Sequence, residues 1–243
     1  MTEKLWLRGG FPRSFLADTE QNSWIWRENY ISTFLETDIP RLGIHIPAET
    51  LRRFWMMLSH YHGQVFNASE LGRSFGISDI TARKYLDILA GTFMVRILPA
   101  WFANTAKRQV KSPKIYLRDS GIFHALQTIR TKEDLLSNPK LGASWEGFAL
   151  ETISETLKNS MEGLFFWQIH SGASVDLFWK SGGKNFGVEF KYADAPKRTK
   201  SLEVAVSELK LEHLWIVYPG PETYPLSPDI TVIPLAKADT LPG

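Results

Sequence analysis

Asp176, Glu189 and Lys191 have the types and the spacing to do chemistry together. The stretch from Ser174 to Tyr192 reads as two strands joined at Gly182-Gly183, a pair that suits a tight hairpin turn. That register faces Val175 with Phe190, Leu177 with Val188 and Trp179 with Phe186 on one apolar side. Side chains alternate between the two faces of a strand, so the other side carries Asp176 across from Glu189, with Lys191 pointing the same way. Carboxylates directly opposed across a sheet repel, and a divalent cation held between them is the simplest compensation.

A fourth group comes from a predicted helix over Ser144 to about Lys158. Trp145, Phe148, Ala149, Thr152, Ile153 and Leu157 form an apolar arc at about 100° per residue, and Glu146 falls inside it. A carboxylate aimed at a packed face costs free energy unless it is paired or coordinated. Glu151, on the outer face with Lys158, reads as solvated instead. One helical acid, two strand acids and a lysine suit metal-assisted hydrolysis of a phosphodiester. Asp176 and Glu189 would hold Mg²⁺ (or Mn²⁺), a hard ion that takes oxygen ligands and is usually held by one or two carboxylates. Glu146 would hold a water of that ion, or a second ion, and Lys191 would orient the attacking water or steady the pentavalent species. His170, and the pair His60 and His62, are weaker candidates, because a spacing of two on a helix puts ligands on different faces.

The elements that must position these groups follow from the rest of the chain. The segment from Met1 to about Gly43 starts with the turn residues Arg8-Gly9-Gly10-Phe11-Pro12 and continues in a helix capped near Asn22 or Ser23 and stopped before Pro40. Trp26, Tyr30, Phe34 and Leu35 give that helix an apolar stripe. A second helix runs from about Pro47 to His62 over Leu51, Phe54, Trp55 and Leu58. Then come a short helix Ala68–Phe75, a Gly76-Ile77-Ser78 turn, a helix Asp79–Leu89 with Ile80, Tyr85, Leu86 and Leu89 inward, and a strand Phe93–Leu98. That is the order of a winged helix-turn-helix, whose second helix would offer Ser78, Thr81, Arg83 and Lys84 to DNA phosphates or base edges. Lys107 and Arg108 extend this cationic set. They belong to an acid-free stretch, Trp101 to Arg118, that also holds Lys111, Lys114 and Arg118. A strand Pro113–Leu117, an Asp119-capped helix to about Ile129 and a polar connector Arg130–Lys140 lead to the helix bearing Glu146. The chain closes with a strand Leu164–Ile169, the hairpin, a helix Thr199–Leu209, and strands Leu214–Tyr218 and Ile230–Pro234.

At 243 residues, with 44 % apolar and 13 % aromatic residues, the chain has material for a real core. No run approaches the roughly 18 apolar residues of a membrane span, and Met1 to Pro12 lacks the apolar stretch of a signal peptide, so no membrane partner and a cytoplasmic location are expected. The absence of cysteine removes thiolate metal sites and cysteine nucleophiles.

The residues also carry a family likeness. Asp176, twelve intervening residues and Glu189-Phe190-Lys191, preceded by a helical Glu146, resemble the core of the PD-(D/E)XK nuclease superfamily, although Val175 stands where the proline of that name would be. Leu7-Arg8-Gly9-Gly10-Phe11-Pro12, Trp26-Arg27-Glu28-Asn29-Tyr30, Asp38-Ile39-Pro40, Ser112-Pro113-Lys114-Ile115-Tyr116, and Glu189-Phe190-Lys191 through Pro196 resemble the uncharacterised C-terminal domain of prokaryotic AAA-type ATPases. The resemblance implies an α/β (α+β) chain: an N-terminal helical and winged helix-turn-helix region, then a restriction-endonuclease-like mixed sheet flanked by helices. It implies an N-terminal docking segment over 1–45, a winged helix over 46–118 and a nuclease-like domain over 119–243. It also implies an AAA-type ATPase partner, in cis or in trans, and a chain that is a C-terminal fragment or a stand-alone relative. No G-x-x-x-x-G-K-[ST] phosphate loop is present, since Gly182-Gly183-Lys184 lacks the first glycine and sits in a hairpin turn. The expected function is therefore Mg²⁺-dependent cleavage of DNA without ATP hydrolysis. The alternative is a non-catalytic DNA- or protein-binding module that positions or regulates an ATPase.

Overall fold

The structure is a computed structural model that describes residues 2–102, 108–157 and 163–243. The chain divides into two compact units. The first comprises Met1–Ile97 and Ile115–Phe148, the second Leu98–Lys114 and Ala149–Gly243.

Unit 1 begins with α1 (Thr2–Arg8), α2 (Pro12–Phe15) and α3 (Glu20–Thr33). The cap of α3 is Thr19, whose hydroxyl accepts the Asn22 N–H at 3.1 Å, rather than Asn22 or Ser23. Nor does Pro40 end the helical path. A π-helical turn, Phe34–Asp38, runs into a further turn, Ile39–Arg41, in which Pro40 occupies a first-turn position where its missing N–H is not needed. The buried stripe is Trp24, Arg27, Ile31, Phe34 and Leu35, while Trp26 and Tyr30 are only partly covered and meet Phe11 in tilted ring contacts. Arg27 is wholly buried and donates to the carbonyls of Leu7 and Gly121, and burial lowers its pKa to about 10.

Helix α4 (Ala48–His60) buries Leu51, Phe54, Trp55 and Leu58, as their spacing predicts. After β1 (Gln64–Val65), α5 (Ala68–Phe75) is capped by Asn67 and ends at Gly76, whose φ of +76° makes the left-handed turn that glycine allows. Helix α6 (Asp79–Gly91) follows, capped by Ser78, and then β2 (Val95–Leu98) and β3 (Lys114–Leu117), in the sheet order β1-β3-β2. Ala82, Leu86 and Leu89 face inward, but Ile80 is 75 % exposed. It lies two residues before Ala82, about 200° around the helix, and so cannot share that face. Asp119 caps α7 (Ser120–Leu126), accepting the Ile122 N–H at 2.8 Å and, through its other oxygen, the Gly10 N–H at 2.7 Å. The stretch read as a polar connector holds a helix of its own, α8 (Lys132–Ser137), made by a capping box between Thr131 and Asp134.

Helix α9 (Leu141–Thr156) carries residues of both units. In unit 2, β4 (Leu164–Gln168), β5 (Ser174–Ser181), β6 (Lys184–Phe190), α10 (Lys200–Leu209), β7 (Leu211–Tyr218), β8 (Tyr224–Ser227) and β9 (Ile230–Pro234) follow. The six strands lie in the order β4-β5-β6-β7-β9-β8. The β6–β7 and β7–β9 pairs are parallel and the others antiparallel, so this is the mixed sheet expected for the chain. Strand β8 escapes a sequence reading because Pro225 argues against a strand, yet at a sheet edge the missing donor is tolerated. Leu202, Ala205 and Leu209 of α10 pack with Val175, Phe178, Leu214 and Ile216.

Two buried histidines organise polar contacts in unit 1. His62 Nδ1 accepts the Leu117 N–H at 2.9 Å and its ring stacks on Phe123. His124 bonds the Leu7 carbonyl through Nδ1, which must therefore be protonated, and the Ser144 hydroxyl through Nε2 at 2.7 Å; Ser144 also accepts from Trp6. Burial lowers His62 to about 3 and His124 to about 4, so both are neutral in the folded chain. An unfolded histidine titrates near 6.5, so the unfolded chain binds more protons below that pH, and the stability these residues confer, present above it, is lost on acidification. Between about pH 7 and about pH 5, the denaturation midpoint is expected to fall more steeply in the wild type than in His124→Gln. Equal slopes would contradict a neutral buried His124.

Candidate functional site

The hairpin has the register read from the sequence: Leu177 pairs with Val188, Phe178 with Gly187 and Trp179 with Phe186. Gly182 and Gly183 both have positive φ, +56° and +76°, as the two-residue turn requires. Alternation fails beyond Leu177. Against β4, Phe165 pairs with Phe178 but Trp167 pairs with Val175, so Asp176 and Leu177 together oppose a single residue. This bulge turns Val175 to the Phe178 side, in the cluster under α10, instead of the Leu177 and Trp179 side expected for it. Val175 Cγ1 lies 3.1 Å from the position a Cβ on Gly187 would occupy, so a larger residue there would have to push it aside by a few tenths of an ångström. The bulge also aims Asp176, whose Oδ2 accepts the backbone N–H of Phe190 at 3.1 Å.

Asp176 and Glu189 are both 7 % exposed. The other oxygen of Asp176 meets Lys114 Nζ at 2.8 Å, in an ion pair whose two side chains are 9 % and 10 % exposed. Burial by itself would raise the Asp176 pKa. The Lys114 charge and hydrogen bond, the Phe190 N–H and Lys191 outweigh it and hold the carboxyl below the usual range. Glu189 goes the other way. Its Oε1 is met by Lys191 Nζ at 2.7 Å, but Lys191 is 48 % exposed, and Glu189 Oε2 is buried with no hydrogen-bond partner among the described residues. Burial first, and the neighbouring charge of Asp176 second, push the Glu189 pKa up to about 8 against the pull of both lysines.

Unit 2 thus brings Asp176, Glu189 and Lys191 together, as their spacing predicts. It adds Lys114, which the sequence reading places in an acid-free basic stretch and in a family-like motif but not in the site. The available signal is its place at the head of the apolar strand Lys114–Leu117, where a lysine is buried and needs an acid. Glu146 belongs to unit 1, where it is partly buried and accepts the Tyr116 hydroxyl at 2.6 Å. Glu151, read as solvated, is partly buried as well. In the helix-turn-helix, Ser78 and Thr81 are tied to each other by the cap of α6, while Arg83 and Lys84 are exposed. Arg108 is exposed, and Lys107 lies outside the described residues.

Among the described residues no group of three or more His, Cys, Asp and Glu side chains is placed to hold a metal ion. Two carboxylates, one with an orphaned buried oxygen, still match the one or two that Mg²⁺ or Mn²⁺ usually takes from a protein, and an all-oxygen donor set suits those hard ions.

The sequence model of a domain of unknown function (DUF8612) matches residues 1–133, and that of another domain of unknown function (DUF4143) matches residues 141–238. Uncharacterized protein Mb2031c of Mycobacterium bovis and uncharacterized protein Rv2008c of Mycobacterium tuberculosis are each 47 % identical over 232 residues, covering 96 % of this chain and 52 % of their own length. The chain spans about half the length of these relatives. Among solved structures, protein VC1899 from Vibrio cholerae aligns at 11 % identity over 95 % of this chain and 55 % of its own, with a TM-score of 0.27.

A carboxyl whose folded pKa lies above its unfolded value confers stability below the unfolded value and loses it as pH rises through the folded one. For Glu189 that window runs from 4.5 to about 8. Relative to Glu189→Gln, the wild type is expected to lose thermal stability as pH rises from about 5 to about 8. Parallel melting curves across that range would show that Glu189 ionises freely in the fold.

Proposed function

The chain belongs to the DUF8612 family, with DUF4143-type sequence over residues 141–238, and on that footing we propose that it serves an AAA-type ATPase as a DNA-processing module whose second unit hydrolyses phosphodiester bonds with a divalent ion, Mg²⁺ or Mn²⁺. The observation that carries this reading is Glu189 Oε2, a buried carboxylate oxygen without a partner among the described residues, beside a second buried carboxylate. A bound ion supplies Lewis acidity toward the phosphate. The residues do the rest. Asp176, fixed through both oxygens, and Glu189, through its open one, form the seat. Lys191, half in solvent, leaves Glu189 to donate to a phosphate oxygen as charge builds there. The exposed cations Lys197, Arg198 and Lys200, in the same unit just after β6, draw in a polyanion.

A second reading is favoured by a different observation. Lys114 already balances Asp176, so half of the charge in the site needs no metal, and the chain then acts as a non-catalytic module that binds DNA or an ATPase. Exposed Arg83 and Lys84 on α6 support DNA contact under either reading.

With Mg²⁺ or Mn²⁺, the wild type is expected to nick plasmid or branched DNA, and Asp176→Ala or Lys191→Ala to slow this by about 100-fold or more. Cleavage that survives both substitutions, or a chelator, removes the catalytic assignment and leaves the second reading. For the DNA interface, replacing Arg83 and Lys84 by alanine is expected to make the slope of log affinity against log salt shallower by roughly 0.9 for each phosphate that is no longer neutralised. An unchanged slope excludes this helix from the interface.

A further inference from the structure

The four oxygens of Asp176 and Glu189 are unequally available. Asp176 Oδ1 is taken by Lys114 Nζ at 2.8 Å, Asp176 Oδ2 by the Phe190 N–H at 3.1 Å and Glu189 Oε1 by Lys191 Nζ at 2.7 Å. Of the four, Glu189 Oε2 is the one buried without a partner among the described residues.

The two lysines also differ. The Lys191 side chain is 48 % exposed and reaches solvent. That of Lys114 is 9 % exposed, starts from a strand and runs over the Phe166 ring, 5.6 Å from its centre. Its ammonium is thus held on Asp176 by the packing around it. In two-ion centres for phosphoryl transfer, shared carboxylates hold cations about 3.5–4 Å apart that stabilise the attacking and the leaving oxygens. An ammonium fixed on one carboxylate takes up one of those positions with a single charge that cannot exchange.

We propose that Lys114 is a positioning residue that stands in the place of a second metal ion and restricts this centre to one divalent ion, seated on the Glu189 side. The inference rests on the metal-dependent reading above and sets its stoichiometry. It also divides the work. An ammonium compensates Asp176 but cannot acidify a bound water as a second ion would, so stabilisation of the second reacting oxygen falls to Lys191, the half-exposed cation of the pair.

The test is an Mn²⁺ titration of the full chain, following unbound Mn²⁺ by electron paramagnetic resonance, in the wild type, Lys114→Gln and Lys114→Arg. The expected result is one Mn²⁺ per chain in the wild type and in Lys114→Arg, and a second Mn²⁺ in Lys114→Gln. A purely structural lysine would leave this count unchanged. One ion in both the wild type and a folded Lys114→Gln overturns this inference alone, whereas no ion in the wild type overturns the metal-dependent reading with it. Removing a buried cation can unfold the chain, so circular dichroism selects the folded variants. The wild-type count also stands without them: two ions there overturn the proposal whatever the variants do.

Discussion

A carboxylate withdrawn from water is tolerated only in company, because without a partner it gives up several kcal/mol of solvation and takes a proton instead. Unit 2 buries two of them on neighbouring strands, Asp176 and Glu189, each 7 % exposed, and their mutual repulsion adds to the problem. The fold answers unevenly. Asp176 receives a buried ammonium and a backbone N–H, enough to keep it ionised. Glu189 receives one half-exposed ammonium on one oxygen and, among the described residues, nothing on the other. The asymmetry, more than the presence of two acids, gives the site its character: one settled charge, and one whose titration burial and the neighbouring Asp176 push up to about 8.

The backbone produces this asymmetry. An unbroken hairpin would set the two acids squarely opposite each other with the same surroundings. The bulge at Asp176 and Leu177 bends β5 so that the Asp176 carboxylate reaches the Phe190 N–H. On the far side of β6, parallel pairing with β7 sets Glu189 opposite Ile216, and no polar group arrives from that strand to satisfy Oε2. Lys191 is the first residue after β6, where its backbone N–H still donates to Val217 while its side chain reaches water. Within three residues the chain therefore passes from a sealed carboxylate to a half-exposed cation at the rim of the sheet.

Much of this was legible in the sequence, for identifiable reasons. The hairpin register follows from a two-residue period and a glycine pair, and α5 and α6 follow from Asn67, Gly76 and Ser78 at their ends. Signals confined to a few neighbouring residues survive without coordinates. The partnership of Lys114 with Asp176 joins positions 62 apart, and nothing local at either one names the other. The bulge is hidden because Val-Asp-Leu-Phe continues an acceptable strand pattern through the point where the ladder slips. Helix α8 has one buried residue, Leu135, and so no periodic stripe to announce it. Thr19, Asn22 and Ser23 are all good caps, and propensity cannot choose among three of them within one turn.

The unsatisfied oxygen also bears on why such a site exists. A buried ion pair is weak support for a fold, since apolar residues of similar volume often serve stability as well or better. A network kept only for stability would have every oxygen bonded, because an unbonded one costs about 1–3 kcal/mol or more if charged. Asp176 meets that standard and Glu189 does not. Among the described residues the sheet thus carries a buried polar atom without a partner, next to a fixed negative charge and a half-exposed lysine. Stability has no need of that arrangement, and either a proton, which the raised pKa of Glu189 favours, or a cation at Glu189 Oε2 would lower its cost.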